Sequence, residues 1–481
     1  MCGPPGLPRP ASRAAAGVDG SRVGAAQVRR YGTLVAVHDT TAEPLELSPP
    51  ELRVAIDAAR LAAARLRGRP VEEVLAALDQ VIVKWLQPDS EWRQRAQQVL
   101  PATTGFSPEM IHHGLPLLLE PLRAEAVRVL MESELGDQRV VDEVHVGRRA
   151  IGPGLIAHVL SGNIPGLAAA PIVLSLALKS AVLIKSATGD RRFPMLFAAS
   201  IRDVDPELAQ CLVVTHWRGG EAAMEEVAFS MADLVVASGS DAAIAAIAKR
   251  VPGRFIAHGH KVSFAVIGRE CLGNAAAAHD LALRLAYDVA LWDQHGCLSP
   301  QLCYIESDGT VTPDQFAALL ADALANAARE LPARTLSFDE KAAVLRFRQA
   351  TEWCTTRTLL TSNESTDWTI SIEPDAEFLP SCLNRCIRLK VIRSVTDLVT
   401  ALAPHRHHLE AVGIPVGAER AAAITDMLVT TGVHRICPLG TMQTPTLAWR
   451  QGGRPRVAEW VEWVGVEPVE HERVERDRRR A

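Results

Sequence analysis

From Gly154 onward the chain alternates short unbroken apolar runs with Ala-rich stretches of helical length, and nothing else constrains its fold as much. The runs are Leu155–Leu160, Ala181–Lys185, Cys211–Thr215, Leu234–Ala237 and Phe264–Ile267. A strand with one wet face alternates apolar and polar residues, whereas a strand buried on both faces has no need to. Continuous apolar strands separated by helices therefore predict an α/β fold, a parallel sheet covered on both sides. The same texture returns after residue 300, with a strand at Leu302–Ile305 and a helix from Pro313 to Glu330. Two α/β units joined near residue 290 follow.

Upstream the pattern is helical. Ser48-Pro49-Pro50-Glu51 supplies a Ser N-cap, Pro in the first turn and Glu at the third position. Leu52, Ile56, Ala59 and Leu66 then recur near helical spacing, and Gly68 and Pro70 end the run. Val71 to Leu86 reads as a second helix, and Ser107-Pro108-Glu109 opens another. Residues 1–40 lack a compact apolar segment and read as disordered; the tail from Glu470 is almost all charged and reads as solvated.

Composition removes several function classes. A net charge of −5 over 481 residues gives no whole-chain case for nucleic acid. The longest apolar stretch, Ile164 to Leu178, is interrupted by Pro165 and Pro171 and is short of the roughly 20 residues a membrane span needs. Nine scattered cysteines without a CxxC pair argue against a disulfide scaffold or zinc ribbon. Reduced thiols and a cytoplasmic location fit better. His405-Arg406-His407-His408 lacks partners at ligand spacing and reads as a solvated loop, so no metal is expected.

Four segments carry chemical potential. In Trp292-Asp293-Gln294-His295-Gly296-Cys297-Leu298-Ser299-Pro300-Gln301 a cysteine follows a glycine just before a predicted strand. A thiol there suits attack on a carbonyl, although a Gly-Cys pair alone favours a buried structural cysteine. Ser161-Gly162-Asn163-Ile164-Pro165-Gly166 ends a strand, where an amide donor suits an oxyanion, or simply a turn. Leu183-Ile184-Lys185-Ser186-Ala187-Thr188, followed by Asp190, Arg191 and Arg192, puts cations at a strand end, where ribose and phosphate bind or a plain surface turn sits. Ala237-Ser238-Gly239-Ser240-Asp241 is a strand-to-helix turn of the kind that holds a pyrophosphate, but no GxGxxG is present.

The order Asn, Lys, Gly turn, Cys resembles that of the aldehyde dehydrogenase superfamily. Within it the chain is similar to the acyl-CoA reductase family that includes the fatty-acid reductase of bacterial luminescence systems. The likeness also rests on Gly259-His260-Lys261-Val262-Ser263-Phe264-Ala265, on Arg435-Ile436-Cys437-Pro438-Leu439-Gly440 and on Trp449-Arg450-Gln451-Gly452-Gly453, and runs from about residue 50 to 465. It implies two Rossmann-like domains with a mostly helical N-terminal part and a small oligomerisation extension. The division implied is a cofactor-binding domain over 41–290, a catalytic domain over 291–440, and a C-terminal return with its tail over 441–481.

By the same resemblance Cys297 is the nucleophile and Asn163, with the Cys297 backbone N–H, forms the oxyanion hole. Lys185 contacts the cofactor ribose, and Gly239 and Ser240 form the pyrophosphate turn. Two departures matter. Hydrolytic members carry a Glu in Glu-Leu-Gly-Gly-Lys, and the matching stretch here is Ala257-His258-Gly259-His260-Lys261. Without that water-activating base an acyl-enzyme persists for reduction or passage to a thiol. Thr188 also stands where NAD-preferring members often have Glu, and with Arg191 nearby this favours NADPH. His258, His260 and His295 read as structural.

The activity implied is NADPH-dependent reduction of a fatty acyl thioester, acyl-CoA or carrier-bound, to the aldehyde. A CoA-acylating aldehyde dehydrogenase running oxidatively, a cofactor-independent Cys acyltransferase and a scaffold are the competing readings. A homo-oligomer and an acyl-protein synthetase partner are expected from the family alone.

Overall fold

The structure, a computed structural model, describes residues 46–467. The expectations for residues 1–40 and for the tail from Glu470 lie outside the described residues.

The N-terminal part is helical, as the spacing predicts. A helix spans Pro49–Leu66, and the Ser48 backbone N–H before it donates to the Glu51 carboxylate (2.8 Å). Its buried stripe contains Leu52, Ile56, Ala59 and Leu66. Helices Val71–Leu86, Glu91–Thr104, Pro108–Leu119 and Ala124–Leu135 follow. They share one apolar core with the first sheet. Trp85 is fully buried beside Phe193 and donates its indole N–H to Ser200 Oγ at 2.8 Å. A buried indole needs such a partner, because an unpaired N–H in the core forfeits its hydration.

The first strand, β1 (Arg148–Ile151), stands apart from the main sheets. Strands β2 (Leu155–Val159), β3 (Ala181–Lys185), β4 (Leu212–Thr215), β5 (Leu234–Ser238) and β6 (Arg254–His258) form a parallel sheet in the order β4-β3-β2-β5-β6. The chain winds outward from β2 through β4, then crosses to the other side of β2 for β5 and β6. That reversal opens a crevice at the carboxyl ends of β2 and β5, the place where such sheets bind ligands. The Ala/Leu helix after β2 starts only at Ala169 and runs nine residues, since Gly166 takes a φ of +100° and the chain turns first.

Strands β7 (Val262–Ile267), β8 (Pro300–Glu306), β9 (Thr358–Thr361), β10 (Thr369–Glu373), β11 (Cys386–Ile392), β12 (Leu409–Gly413) and β13 (Arg435–Cys437) make the second sheet. Its order is β13-β12-β7-β8-β11-β10-β9, parallel except for β9. The 260s strand thus belongs here, and the Ala275–Ala290 helix packs in this sheet's core. The junction between the sheets is the turn at 259–261 and not residue 290. An apolar run announces a buried strand, but only its hydrogen-bond partners say which sheet it joins. Finally β14 (Glu462–Gly465) returns to pair antiparallel with β1 in an exposed two-stranded ribbon. Among the described residues no helix is long and apolar enough to cross a membrane.

Candidate active site

The segment leading to Cys297 is backbone-strained. Trp292, Asp293 and Gln294 have φ of +56°, +49° and +65°, a region that costs an L residue roughly 1–2 kcal/mol each. Tertiary contacts hold it. Asp293 Oδ1 pairs with Arg385 Nε at 2.5 Å, both side chains being buried. Its Oδ2 accepts the Arg334 backbone N–H (2.9 Å), and its carbonyl accepts the Asn384 N–H (3.0 Å). Arg385 lies in a second left-handed triple, Leu383-Asn384-Arg385, so two strained turns are latched to each other. Trp292 is seated over Gly114 of the Pro108–Leu119 helix, where any Cβ would overlap the indole.

The latch sets the next three residues. His295 Nε2 lies 3.0 Å from both Asn384 Oδ1 and Arg334 Nη1. The His295 carbonyl accepts Asn163 Nδ2 at 2.5 Å. At Gly296 a Cβ would lie 2.5 Å from Gln443 Oε1 and 3.3 Å from Ile164 Cδ1, so glycine lets the Gln443 and Ile164 side chains pack directly against this loop. Cys297 follows in the turn before β8, half-buried, with its carbonyl accepting Ser263 Oγ at 2.7 Å. Burial pushes the Cys297 thiol up to about 12; the Glu410 carboxylate adds to this, while Arg456 and Lys261 oppose it. Such a thiol keeps its proton at neutral pH and needs a base before it attacks.

The remaining predicted residues line the carboxyl ends of the first sheet. Lys185 closes β3 partly buried; burial lowers its ammonium, with Glu225 opposing and Arg191 assisting. Thr188 is exposed in the following turn. Asp190 is buried there, accepts the Phe193 N–H (3.2 Å), and is raised to about 7 by burial. Arg191 pairs with Glu46 at 3.8 Å. Across the crevice, the Gly239 N–H bonds to the His258 carbonyl, and Ser240 caps the Asp241–Ala248 helix by accepting the Ala243 N–H (3.3 Å). That helix buries none of its residues. A Cβ at Gly239 would meet only Ala243 Cβ, at 3.6 Å, so the outer side of the turn is open. A cation at one strand end and an open helix-initiating turn at another fit the ribose and phosphates of a dinucleotide. Ala257, one residue before the end of β6, pairs with Ala237 and puts no carboxylate at its position.

Asn163 is therefore bonded to the loop two residues before Cys297, and Lys185, Thr188, Arg191, Gly239 and Ser240 lie at the carboxyl ends of the neighbouring sheet. His295 is tied down by two partners, and burial lowers it. His258 is likewise lowered by burial, to about 4. Sequence reasoning missed the Asp293–Arg385 pair and Glu410. The first left no local signal, since its partners are 92 positions apart. The second did: a Glu inside the apolar run Leu409–Gly413 is out of place unless it is used.

Residues 66–454 match the family model described as acyl-CoA reductase (LuxC). The chain is 25% identical over 370 residues to the long-chain acyl-protein thioester reductase of Vibrio harveyi, covering 74% of each. It is 24% identical over 384 residues to that of Photobacterium phosphoreum, covering 77% of this chain and 75% of the relative. Among solved structures, a variant of aldehyde dehydrogenase C from Pseudomonas syringae, complexed with NAD+ and octanal, superposes with a TM-score of 0.66 at 15% identity, over 88% of this chain and 90% of that one. The NADP-dependent glyceraldehyde-3-phosphate dehydrogenase of Bacillus halodurans superposes with a TM-score of 0.64 at 14% identity, over 88% and 92%. Fold, sequence and the matched span agree: the chain belongs to the LuxC family of acyl-CoA reductases, aldehyde-forming oxidoreductases on an aldehyde dehydrogenase-like α/β fold.

Proposed function

We propose that the protein reduces a fatty acyl thioester to the aldehyde through an acyl-Cys297 intermediate, with NADPH as reductant. The observation that carries this is the Asn163 Nδ2 bond to the His295 carbonyl, two residues before Cys297. It fixes an amide donor on the loop that carries the nucleophile. The second amide hydrogen and the Cys297 backbone N–H are then available to an oxyanion, an arrangement that favours the tetrahedral intermediate over the planar thioester. Cys297 attacks the acyl carbon, the donor thiol leaves, and the acyl group rests on sulfur.

Ala257 supports a reductase over a hydrolase, because no carboxylate stands there to activate water. Lys185, Gly239 and Ser240 would hold the dinucleotide, and Thr188 with Arg191 would accommodate a 2′-phosphate, Arg191 exchanging its Glu46 partner for it. The bound nicotinamide supplies the hydride. The acyl donor is CoA or a protein-bound thioester delivered by an acyl-protein synthetase, and the enzyme works as a homo-oligomer. Eight free cysteines among the described residues support a reducing, cytoplasmic setting.

The test is a spectrophotometric assay of wild type and Cys297→Ala with NADPH or NADH and acyl-CoAs of several lengths, trapping aldehyde. Cys297-dependent consumption yielding aldehyde, faster with NADPH, is the expected result. Acylation of Cys297 without consumption would favour a cofactor-independent acyltransferase. Neither acylation nor consumption, with acyl-CoA or acyl-protein donors, would overturn the assignment.

A further inference from the structure

The thiol of Cys297 is held protonated, and the position that carries the base in hydrolytic relatives is Ala257. The proton of the nucleophile therefore needs another destination. Glu410 on β12 has no exposed surface, and its β-strand neighbours Leu409, Ala411 and Val412 are fully buried. A carboxylate in such a place carries a heavy desolvation penalty unless it is hydrogen-bonded or paired.

Two features bring its stretch of β12 against the Cys297 turn. The register of β12 against β7 slips: Leu409 pairs with Val262 but Val412 with Phe264, so β12 carries an extra residue at Glu410–Ala411. A bulge of this kind re-aims a side chain out of the pleat. The β7–β8 register slips at the same place, Ser263 pairing with Pro300 and Phe264 with Leu302. Ser263 joins both irregularities. Its hydroxyl accepts the Ala411 N–H (3.1 Å) and donates to the Cys297 carbonyl (2.7 Å).

The carboxylate itself is half-satisfied. Oε1 accepts the Gly452 N–H at 2.9 Å. Oε2 is buried without a hydrogen bond and lies 3.5 Å from His434 Nδ1, which also has none. His434 is partly exposed, and its backbone N–H bonds to the Glu410 carbonyl (2.8 Å). The Gly452-Gly453 pair makes this closure possible. Both residues have positive φ, and a Cβ at Gly453 would lie 2.7 Å from the His434 ring. A string that served only as a family marker in the sequence is thus the lid over a carboxylate–imidazole pair.

We propose that Glu410 accepts the Cys297 proton and returns it to the departing thiol, with His434 as the positioning residue that links it to solvent. The proposal rests on Cys297 being the nucleophile. In the acylation step the S–H bond breaks, its proton moves to Glu410, and a C–S bond forms between Cys297 and the acyl carbon. The donor's C–S bond then breaks and its thiolate takes the proton from Glu410. No electrons change hands. When the aldehyde later leaves, the Cys297 thiolate regains a proton from solvent by the same route.

The electrostatics are consistent with the role. Burial raises Glu410, against the Gly452 N–H, His434 and Lys261, which lower it. Its charge also raises Cys297. The groups facing this carboxylate are His434 just before β13, Lys261 from the turn before β7, Cys297 itself and the Gly452 amide of the C-terminal return; Arg456 of that return acts on Cys297.

The test pairs two rates on wild type, Glu410→Gln, Glu410→Asp and His434→Gln. One is single-turnover acylation of Cys297 by acyl-CoAs; the other is alkylation of Cys297 by iodoacetamide across pH. In Glu410→Gln, loss of the negative charge makes the thiol more acidic, so alkylation shifts to lower pH. Acylation near neutrality falls by about 10²–10⁴-fold because the base is gone. Opposite movements of the two rates are the signature, which a merely structural role would not produce. Glu410→Asp retains part of the acylation rate, and His434→Gln shifts its pH dependence. Acylation of Glu410→Gln within threefold of wild type overturns the proposal. Should that variant not fold, acylation of Glu410→Asp and His434→Gln with an unchanged rate and pH profile overturns it instead. Wild type that is never acylated overturns the nucleophile reading, and this one with it.

Discussion

Asn163 shows how little a side chain reveals before its surroundings are known. In the sequence it is one amide in a turn. In the structure its Nδ2 is anchored on the His295 carbonyl, which fixes where its second hydrogen points. Removing one such donor costs other acyl-transfer enzymes about 10²–10³ in turnover. Asn163→Ala is expected to lower kcat by that factor with a much smaller change in KM, measured by steady-state aldehyde formation. A fall in kcat/KM carried by KM alone would mean the amide binds substrate without favouring the transition state. The candidate residues that stood out in the sequence, Cys297, Asn163 and Lys185, are those carried by short local strings. Arg385 did not, because its partner Asp293 is brought in from 92 positions away; Glu410 left only the hint of a carboxylate inside an apolar run, and its partners come from other strands.

At the scale of elements, the two latched left-handed turns matter most. Neither 292–294 nor 383–385 contains a glycine, so local preference opposes both. The Asp293–Arg385 pair and the Arg334 and Asn384 amides offset that strain. Arg385→Met leaves the Asp293 carboxylate buried without its counter-charge. Breaking such a pair costs about 3–5 kcal/mol, so the urea midpoint should fall sharply and Cys297 acylation should fall with it. The double variant Asp293→Asn/Arg385→Met is expected to recover part of the stability, since no lone charge remains. Recovery of stability without activity would separate the latch's catalytic geometry from its energetic role. The six strands read from the sequence lie within two residues of β2, β3, β4, β5, β7 and β8, because apolar runs and flanking turns are local signals. The strained latch between them follows from no local rule.

For the whole molecule, the C-terminal return ties the halves together: its Arg456 and Val457 N–H groups donate to Glu134 of the Ala124–Leu135 helix at 2.9 and 2.7 Å, and its start is held on the second sheet's side. Asp288 on the Ala275–Ala290 helix is fully buried and accepts the Gly440 and Met442 N–H groups, stitching residues 440–443 to the second domain. Burial raises it to about 7 from 3.8, against those bonds. The folded protein thus holds this proton to near pH 7, whereas the unfolded chain releases it near pH 4. Between those values the native state binds more protons, so this group's contribution to stability falls as pH rises from about 4 to about 7 and is level above. Asp190 acts in the same direction. Melting temperatures of wild type and Asp288→Asn across pH 4.5–8 should show the wild-type advantage shrinking through that window (roughly 4.5 to 7). A pH-independent difference would remove Asp288 as a titrating group.

By itself the sequence determined the class of fold, since runs of Val, Ile, Leu and Ala long enough for strands can only be buried on both faces. It also determined the chemistry on offer, because a thiol, an amide and an absent carboxylate are properties of residue types. The tertiary structure alone decided where one sheet ends and the next begins, since strand pairing is non-local and the 260s strand hydrogen-bonds forward to β8 and β12. It alone decided which charges act on Cys297. Desolvation and Coulomb interactions depend on distance in space, and Glu410, Lys261 and Arg456 reach the thiol from segments far apart along the chain.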